Sequence, residues 1–503
     1  MWRVKSLDAI LATAQKKSLH RSLGPVQLTM LGIGGVIGTG IFVLTAEAAQ
    51  KAGPGMMLSF IIAGAVSAVA ALCYAELASM VPVSGSAYTY SYAVLGEFVA
   101  WMVGWALILE YAVAASAVSV GWSGYVVGLL AHMPDPIIIP PALAAGPYAG
   151  GVFNLLAVLV ALGVTGLLVI GTRESATVNA VLVTVKLVAL GAFIWLAIPV
   201  MQMENFHPFT PNGWGTIGVI GAASSIFFAY VGFDAVSTAA EETKNPQRNL
   251  PIGLIASLGI CTLIYLLVAA GAIGAYGAQP VTGPNGEVLS PGSAELASAC
   301  SSLTTQPLAC SREALAHVLR SIGHSGVGNL VGLAAGLALP TVILMMIFGQ
   351  TRIFFVMARD GLLPKKLSSV HPRFRTPHIV TWITGIAVAF AAAFLPVGRL
   401  ADISNSGTLF AFAVVSVAVL VLRRTQPDRH RPFRTPLIWL FAPLAIVGCV
   451  TLFLFLPWQA KLLFPVWTAI GLAFYFAYGY RHSHVARGIT EVPDVELPGP
   501  IKD

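Results

Sequence analysis

Charged side chains are scarce in this sequence. Asp, Glu, Lys and Arg make up 10% of its 503 residues, whereas hydrophobic residues make up 57%. Soluble domains carry about 25% charged residues, so this composition excludes an ordinary soluble fold. Apolar runs of about 20 residues recur along the chain, and each is long enough to cross a bilayer as a helix. The sequence therefore predicts an all-α polytopic membrane protein whose surroundings are the lipid bilayer.

Motifs for several functions are missing as well. The glycine string "GIGGVIGTG" has no strand before it, as a dinucleotide fold requires, and no Gly-Lys-Ser/Thr after it, as a P-loop requires. His and Cys residues do not cluster at metal-ligand spacing, and no order of Ser, His and Asp suggests a catalytic triad. We therefore expect no enzyme, no metal and no cofactor. The sequence identifies no protein partner.

Twelve membrane spans are predicted from the apolar runs and from the loop residues that bound them. They cover residues 26–50, 55–80, 96–130, 151–170, 178–199, 214–240, 250–276, 325–357, 377–396, 402–422, 436–456 and 462–480. Residues 1–25 lack the apolar core of a signal peptide and are expected to form a surface helix, with Trp2, Val4 and Leu7 on one face, or a tail. Residues 482–503 are expected to be a polar tail.

Basic residues fall mostly on one side of this topology. If both termini are cytoplasmic, 22 of the 28 Lys and Arg residues lie in cytoplasmic segments and five lie outside. Such an excess fixes the orientation of membrane proteins, so the sequence predicts cytoplasmic termini in the cell (inner or plasma) membrane. The net charge of +7 is then explained by topology, and we expect no nucleic-acid partner.

Five glycines in nine residues, Gly32 to Gly40, interrupt the first span. Each glycine costs a helix about 1 kcal/mol relative to alanine. One interpretation is close helix packing, because Gly34 and Gly38 form a GxxxG pair. The other is a helix broken in mid-membrane, where freed N–H groups around Thr39 and Gly40 would bind a carboxylate.

A broken first helix predicts a second interruption at the sixth span, if the chain contains a five-plus-five inverted repeat. The sequence there reads "SSIFFAYVGFDAVSTAAEE", in which Gly232 and Asp234 disrupt an apolar run. Carbonyls near Phe228, Ala229 and Val231 would accept an ammonium group. Two opposed breaks form a pocket for a zwitterion, and an α-amino acid has charges at that separation.

Four segments resemble the bacterial cationic amino acid transporter family, of the amino acid, polyamine and organocation superfamily. They are "GIGGVIGTGIFVLTAEAAQKAGP", "YAELASMVPVSGSAYTYSY", "GFDAVSTAAEETKNPQRNLPIG" and "GQTRIFFVMARDGLLPK", and the resemblance extends over about residues 20–480. It implies a LeuT-like fold with inverted repeats at 26–200 and 214–423, plus two extra helices at 436–481. The loop at 277–324 looks long for a bacterial member.

The resemblance also implies a set of site residues. The substrate-binding positions are Val36, Gly38, Thr39 and Gly40, then Phe228, Ala229, Tyr230 and Val231, and Met346 in the eighth span. Phe228 would cover the occupied pocket. A methionine at 346 would fill the space that a long cationic side chain needs, so we expect small neutral L-amino acids, alanine-like, to be imported. Cationic amino acid or polyamine transport or exchange is the alternative, and a channel is the alternative of another class.

Two buried ionisable residues bear on coupling. Lys186 lies in the fifth span and Glu110 in the third. An intramembrane lysine is costly and marks an ion or proton path, although a static ion pair with Glu110 is a second interpretation. The resemblance implies that this lysine takes the place of sodium, so proton symport is expected. Protonated Lys186 is expected to hold the carbonyls freed near Val36 and Gly38. Glu110 is expected to line the pocket, to pair with Lys186 or to act as a relay.

Remaining polar residues support weaker predictions. Four acids could form gate ion pairs with Lys244, Arg248 or Arg352, or could lie at helix ends in contact with water: Glu76, Asp234, Glu241 and Glu242. Cys300 and Cys310 lie in the outer loop, where disulfides are permitted, and form a candidate disulfide.

Overall fold

The computed structural model describes Val4 and residues 23–82, 86–171, 176–374 and 376–488, without the side chains of Ala176, Thr177, Ala235, Thr238 and Glu241. Across these residues the chain is helical, and β-structure is limited to two isolated bridges. The predicted surface helix near the N-terminus, except Val4, and the tail from residue 489 lie outside the described residues. The all-α prediction is confirmed for the part of the chain that the structure describes.

Twenty α-helices follow one another through the described ranges. They are α1 Pro25–Val36, α2 Thr39–Phe42, α3 Leu44–Ala52, α4 Met56–Met80, α5 Ser86–Val94, α6 Glu97–Ala131, α7 Pro141–Ala144, α8 Leu155–Ile170, α9 Ala176–Ala197 and α10 Val219–Ile226. There follow α11 Ala235–Thr238, α12 Pro246–Tyr276, α13 Ala294–Ser302, α14 Ala314–Ser321, α15 Ser325–Arg359, α16 His378–Phe394, α17 Val397–Thr425, α18 Ile438–Phe455, α19 Trp458–Phe474 and α20 Tyr480–His482.

Eight helical stretches among the described residues are long and apolar enough to cross a membrane. They are Leu44–Met80, Glu97–Ala131, Val178–Val200, Pro246–Tyr276, Ser325–Arg359, Val397–Thr425, Ile438–Phe455 and Trp458–Arg487. Four shorter apolar helices accompany them: Pro25–Val36, Leu155–Ile170, Val219–Tyr230 and His378–Phe394. Large apolar side chains such as Trp195, Val188 and Phe390 are exposed on the outside, as expected of a polytopic membrane protein in contact with lipid.

The interrupted segments occupy the middle of the bundle. α1 and α4 pack against α12, α10 packs against α4, and α6 packs against both α15 and α17. Helices α8, α16, α18 and α19 lie further out. This arrangement surrounds both interruptions with protein, which is where irregular backbone is tolerated at membrane depth.

Both predicted interruptions are present. The run predicted at 26–50 is divided into α1, α2 and α3, and the run predicted at 214–240 holds α10, a 3-10 turn at Phe227–Tyr230 and the short α11. The second run begins later than predicted, because residues 214–218 form a turn and bends and α10 begins at Val219. Gly24 precedes α1, and the Gln27 side chain accepts its N–H at 3.0 Å, which helps to define where the first helix starts.

The loop at 277–324 forms an ordered layer over one end of the bundle, which we call the loop end. It contains α13 and α14, and a small apolar cluster of Val281, Leu289 and Leu296 packs against Cys300 and Cys310. Gln50 of α3 attaches the layer to the bundle: its Nε2 donates to the carbonyls of Val281 and Leu289, both at 2.8 Å. The loop is therefore connected directly to the helix that follows the first interruption.

Cys300 and Cys310 are joined as a disulfide, whereas Cys73, Cys261 and Cys449 are free and buried. Closing a loop of about ten residues contributes up to about 3 kcal/mol in the chain-entropy description. We expect alkylation in denaturant without reductant to label three thiols, and five after reduction, as counted by intact mass. Five labelled thiols before reduction would contradict the bridge.

Candidate functional site

The first interruption lies between Val36 and Thr39. α1 ends at Val36, Ile37 is extended with φ −75° and ψ 92°, and helix resumes at Thr39. The last turn of α1 is left with carbonyls that lack helical N–H partners, and the first turn beyond Gly38 is left with N–H groups that lack helical carbonyls. The break thus presents acceptors on one side and donors on the other.

Two side chains bind the carbonyls at the end of α1. Lys186 Nζ on α9 donates to the Gly34 carbonyl at 3.0 Å. The Tyr265 hydroxyl on α12 lies 2.8 Å from the Val36 carbonyl. The structure thus places the Lys186 ammonium against a carbonyl in the last turn of α1, near Val36. Gly34 lies directly against Val183 of α9, and this close packing brings its carbonyl within reach of the lysine.

The donor side of the break is formed by the first residues of α2. Thr39 and Gly40 are fully buried, and the Thr39 Oγ1 has no hydrogen-bond partner within the described residues. The Thr39 methyl group packs into the space left by Gly121 on α6. A buried hydroxyl without a partner, beside backbone N–H groups that no helical carbonyl can satisfy, suits a ligand that accepts hydrogen bonds.

The second interruption presents carbonyls. α10 ends at Ile226, the turn Phe227–Tyr230 follows, and Val231 is extended with φ −67° and ψ 139°. The Ala229 carbonyl accepts the same Tyr265 hydroxyl at 2.9 Å. One tyrosine therefore lies between the two interruptions, in contact with an acceptor from each. The Tyr230 side chain points elsewhere, since its hydroxyl donates to the Phe60 carbonyl at 2.9 Å on α4.

The two interruptions touch each other through glycine. A Cβ built on Gly35 would lie 2.9 Å from the Gly232 carbonyl oxygen, and one on Gly40 would lie 2.5 Å from the Ala229 Cβ. Gly232 has φ +112°, a conformation that few other residues adopt. The glycines of the first span thus serve both interpretations: some allow close packing, and the helix is also broken between them.

Apolar side chains form the wall beside the break. The γ carbons of Val342 on α15 lie 3.6 and 3.7 Å from a Cβ built on Gly38, and the Met345 sulfur lies 3.2 Å from one built on Gly35. Met346 is buried on the same helix, and Phe228 is buried in the second interruption. Sequence reasoning named Met346 and Phe228 but missed Val342 and Met345, because only the observed helix rotation shows which residues of α15 face the break.

Glu110 lies with a second acid. It is buried on α6, with the Thr408 hydroxyl of α17 and the acid Asp234 both close to its carboxylate. Asp234 accepts the Tyr111 hydroxyl at 3.0 Å. Lys186 donates instead to the α1 carbonyl, so the structure places these two predicted coupling residues in different surroundings.

Glu76 has different partners from those expected. Its carboxylate accepts two hydrogen bonds from Arg423, both at 2.8 Å, and Arg431 approaches to 3.3 Å. Lys244, Arg248 and Arg352 were the predicted partners, and that prediction is wrong for Glu76. Both arginines lie at the end of the bundle opposite the loop end, near the turn after α17. The hydrophobic pattern of one helix does not show which other helix lies beside it, so the sequence could not place α17 next to α4.

The chain is similar to known proteins over most of its length. Residues 23–476 match the family described as amino acid permease. The chain is 44% identical over 488 residues to the branched-chain amino acid permease BcaP of Bacillus subtilis, covering 96% of this chain and 98% of that protein. It is 41% identical over 488 residues to the methylthioribose transporter of Bacillus subtilis, with the same coverage. It is 35% identical over 421 residues to the vacuolar cationic amino acid transporter 4 of Arabidopsis thaliana, covering 82% of this chain and 64% of that protein.

Proposed function

The chain belongs to the amino acid permease family, and on that basis we propose that it imports neutral L-amino acids with protons by alternating access. The observation that carries the proposal is the pair of interruptions, which face each other with N–H groups on one and carbonyls on the other. The proposal includes no catalysed reaction and no cofactor beyond the coupling proton. The relatives compared above are named as transporters.

The finer architecture is also proposed. Twelve spans would comprise two inverted repeats of five, at 26–200 and 214–423, followed by two further helices at 436–481. It is supported by the position of the interruptions, in the first span of each proposed repeat. The excess of Lys and Arg on one side supports cytoplasmic termini in the cell membrane, with the loop end outside.

An amino acid would lie across both interruptions. Its carboxylate would accept from the N–H groups of Thr39 and Gly40 and from the Thr39 hydroxyl. Its ammonium would donate to carbonyls of the turn Phe227–Tyr230, where Ala229 now accepts Tyr265 at 2.9 Å. Substrate would therefore compete with the Tyr265 hydroxyl for one carbonyl. A charged donor forms the stronger hydrogen bond, which favours this exchange.

The substrate side chain would face an apolar wall. Phe228, Val342, Met345 and Met346 are uncharged, and two of them are long thioethers that fill space near the break. Alanine-like substrates were expected from the sequence. We extend the proposed range to branched aliphatic side chains, because a relative of 44% identity is named as a branched-chain amino acid permease.

Lys186 would couple a proton to this cycle. Its ammonium ties α9 to the inner half of the first broken helix through the Gly34 carbonyl. Loss of its proton to the cytoplasm would remove the charge that strengthens this bond. α1 would then separate more readily, releasing substrate inside, and the lysine would regain its proton from the outward-facing state.

Uptake into proteoliposomes tests the proposed function. One proton supplies about 2.3 kcal/mol per 100 mV and about 1.4 kcal/mol per pH unit, which together allow an accumulation of about several hundredfold. We expect labelled leucine and alanine to accumulate under an imposed pH gradient and potential. A channel would only equalise concentrations. Stronger competition by arginine or methylthioribose than by alanine would contradict the proposed substrate class.

Met346 is expected to limit the size of the substrate. Replacing it by serine removes a buried thioether and leaves space beside the break. We expect Met346→Ser to admit longer side chains, with arginine inhibiting leucine uptake in the variant much more than in wild type. Met357→Ser is the control, because Met357 is equally buried on α15 but contacts Gly104 of α6. An unchanged inhibition profile in Met346→Ser would contradict the assignment.

A further inference from the structure

A second set of buried charges lies at the loop end. Lys51 Nζ on α3 is 2.5 Å from Ser225 Oγ, 3.4 Å from Glu47 Oε1 and 3.5 Å from Asp402 Oδ2. Ser225 also donates to Asp402. The four residues, which we call the α3 charge cluster, come from three helices: Glu47 and Lys51 from α3, Ser225 from α10 and Asp402 from α17.

The α3 charge cluster contains two carboxylates and one ammonium. The side chains of Lys51 and Asp402 are only 6% and 5% exposed, and that of Glu47 is 13% exposed. With both acids ionised the cluster carries one uncompensated negative charge. An unpaired buried charge is expensive, so such a site takes up a proton or a cation.

Glu47 is the acid better placed to take a proton. Asp402 accepts a hydrogen bond from Ser225 and lies 3.5 Å from Lys51, and both contacts favour its ionised form. Glu47 lies 3.4 Å from the same ammonium but does not share the Ser225 hydroxyl proton, which goes to Asp402, and Gly398 leaves room for the other carboxylate oxygen of Glu47. Glu47 also lines a cavity of about 1100 Å³ at the loop end, whereas Lys51 and Asp402 do not. Water in that cavity gives Glu47 a route for proton exchange.

We propose that Glu47 binds one proton from the cavity at the loop end, which makes the α3 charge cluster a proton site separate from Lys186. Its position gives the proton a mechanical role. α3 and α10 are the halves of the two interrupted helices nearest the loop end, and Asn405 of α17 donates to the carbonyls of Ser224 and Ser225 at the end of α10. Ionisation of Glu47 would change the charge that holds these three helices together.

Other charged and titratable groups face the same region. From the cavity wall and from α17 they are His132, Tyr148, Tyr276, Arg312, Glu313, His317 and Arg399. Glu313 is paired with Arg320, and Arg312 donates to the Ala149 carbonyl at 2.8 Å. α4 carries one charged residue, Glu76, at the opposite end, and α10 carries none. Burial lowers the pKa of His317. Protonation of this histidine is therefore a second source of pH dependence, and the experiments control for it.

Infrared spectroscopy of the purified protein tests the site directly, because a protonated carboxyl has a C=O stretching band that a carboxylate lacks. At neutral pH we expect Glu47→Gln to lose one such band, which in wild type disappears as the pH is raised. Glu97→Gln is the matched control: Glu97 is also buried and accepts hydrogen bonds from Tyr92 and Tyr475, but it lies outside the α3 charge cluster, so its replacement should leave the cluster's band in place.

A second variant keeps the test decisive if Glu47→Gln does not fold. Lys51→Met removes the only ammonium of the α3 charge cluster, so both acids should be protonated and the cluster's band should about double. Wild-type spectra that match those of Glu47→Gln would overturn the proposal. Loss of the band in Asp402→Asn, with retention in Glu47→Gln, would overturn the assignment to Glu47.

Transport provides an independent readout that rests on the proposed function. We expect exchange of labelled leucine, measured without a leucine gradient, to become slower as the external pH rises in wild type and in His317→Gln. In Glu47→Gln the exchange rate should not depend on external pH. Equal pH sensitivity in Glu47→Gln would contradict the mechanical role. Absence of any transport in wild type would contradict the proposed function alone, because the infrared result does not depend on it.

Discussion

Gly40→Ala is expected to weaken substrate binding strongly while leaving the protein folded. The added methyl would lie 2.5 Å from the Ala229 Cβ and 3.0 Å from the Ala229 nitrogen, and backbone cannot rotate away as a side chain can. Overpacking costs about 1–3 kcal/mol, which corresponds to a loss of about 5- to 150-fold in affinity if it displaces the two interruptions from each other. Equilibrium binding of labelled leucine to purified protein measures this loss.

Gly191→Ala is the matched control for that experiment. Gly191 is an interior helical glycine of α9, and no atom lies within 4 Å of a Cβ built on it. The same substitution there should leave leucine affinity unchanged and slightly favour the helix. Equal affinity of Gly40→Ala and wild type would show that the contact between the interruptions is not needed for binding.

Lys186→Ala is expected to eliminate accumulation driven by a pH gradient. The variant loses the ammonium that donates to the Gly34 carbonyl at 3.0 Å, and with it the group proposed to carry the proton. Substrate binding should weaken less than transport, because the proposed substrate contacts are mainly backbone groups of the two interruptions. Uptake with and without the gradient, beside leucine binding in the same preparation, separates the two effects.

Lys461→Ala supplies a control for the loss of a positive charge. Lys461 lies on α19 at the loop end, and its ammonium donates to the Leu454 carbonyl at 3.0 Å, far from the interruptions in the proposed architecture. This variant should accumulate leucine as wild type does. If Lys186→Ala still concentrates leucine in response to the gradient, the proton is carried elsewhere, and Glu110 or Glu47 becomes the next residue to replace.

The sequence predicted those features of the fold that local composition determines. Glycines and an acid within apolar runs indicated where the helices break, and an isolated lysine indicated a buried charge. Each of these signals lies within one segment of the chain. Glycine and charged residues each destabilise a membrane helix by enough free energy that their presence is informative, even when the residues packed against them are unknown.

Contacts between distant helices were not predictable in the same way. Tyr265 is an ordinary aromatic residue in the sequence, yet its hydroxyl reaches carbonyls of both interruptions. Glu76 was assigned the wrong partners because Arg423 lies 347 positions away along the chain. The α3 charge cluster was also missed, since Lys51 was counted only among the five basic residues outside the membrane. These contacts depend on how each helix is rotated about its axis and on which helices it packs against. A helix that is apolar on nearly all faces gives no hydrophobic pattern that shows which face points inward.

A structure determined with leucine bound tests the central claim most directly. We predict density between the interruptions, with the carboxylate at hydrogen-bond distance from the N–H groups of Thr39 and Gly40 and the ammonium at hydrogen-bond distance from the Ala229 carbonyl. The Tyr265 hydroxyl would then have moved away from that carbonyl, which it contacts at 2.9 Å without substrate. Leucine bound only in the cavity at the loop end, with the interruptions unchanged, would contradict the account.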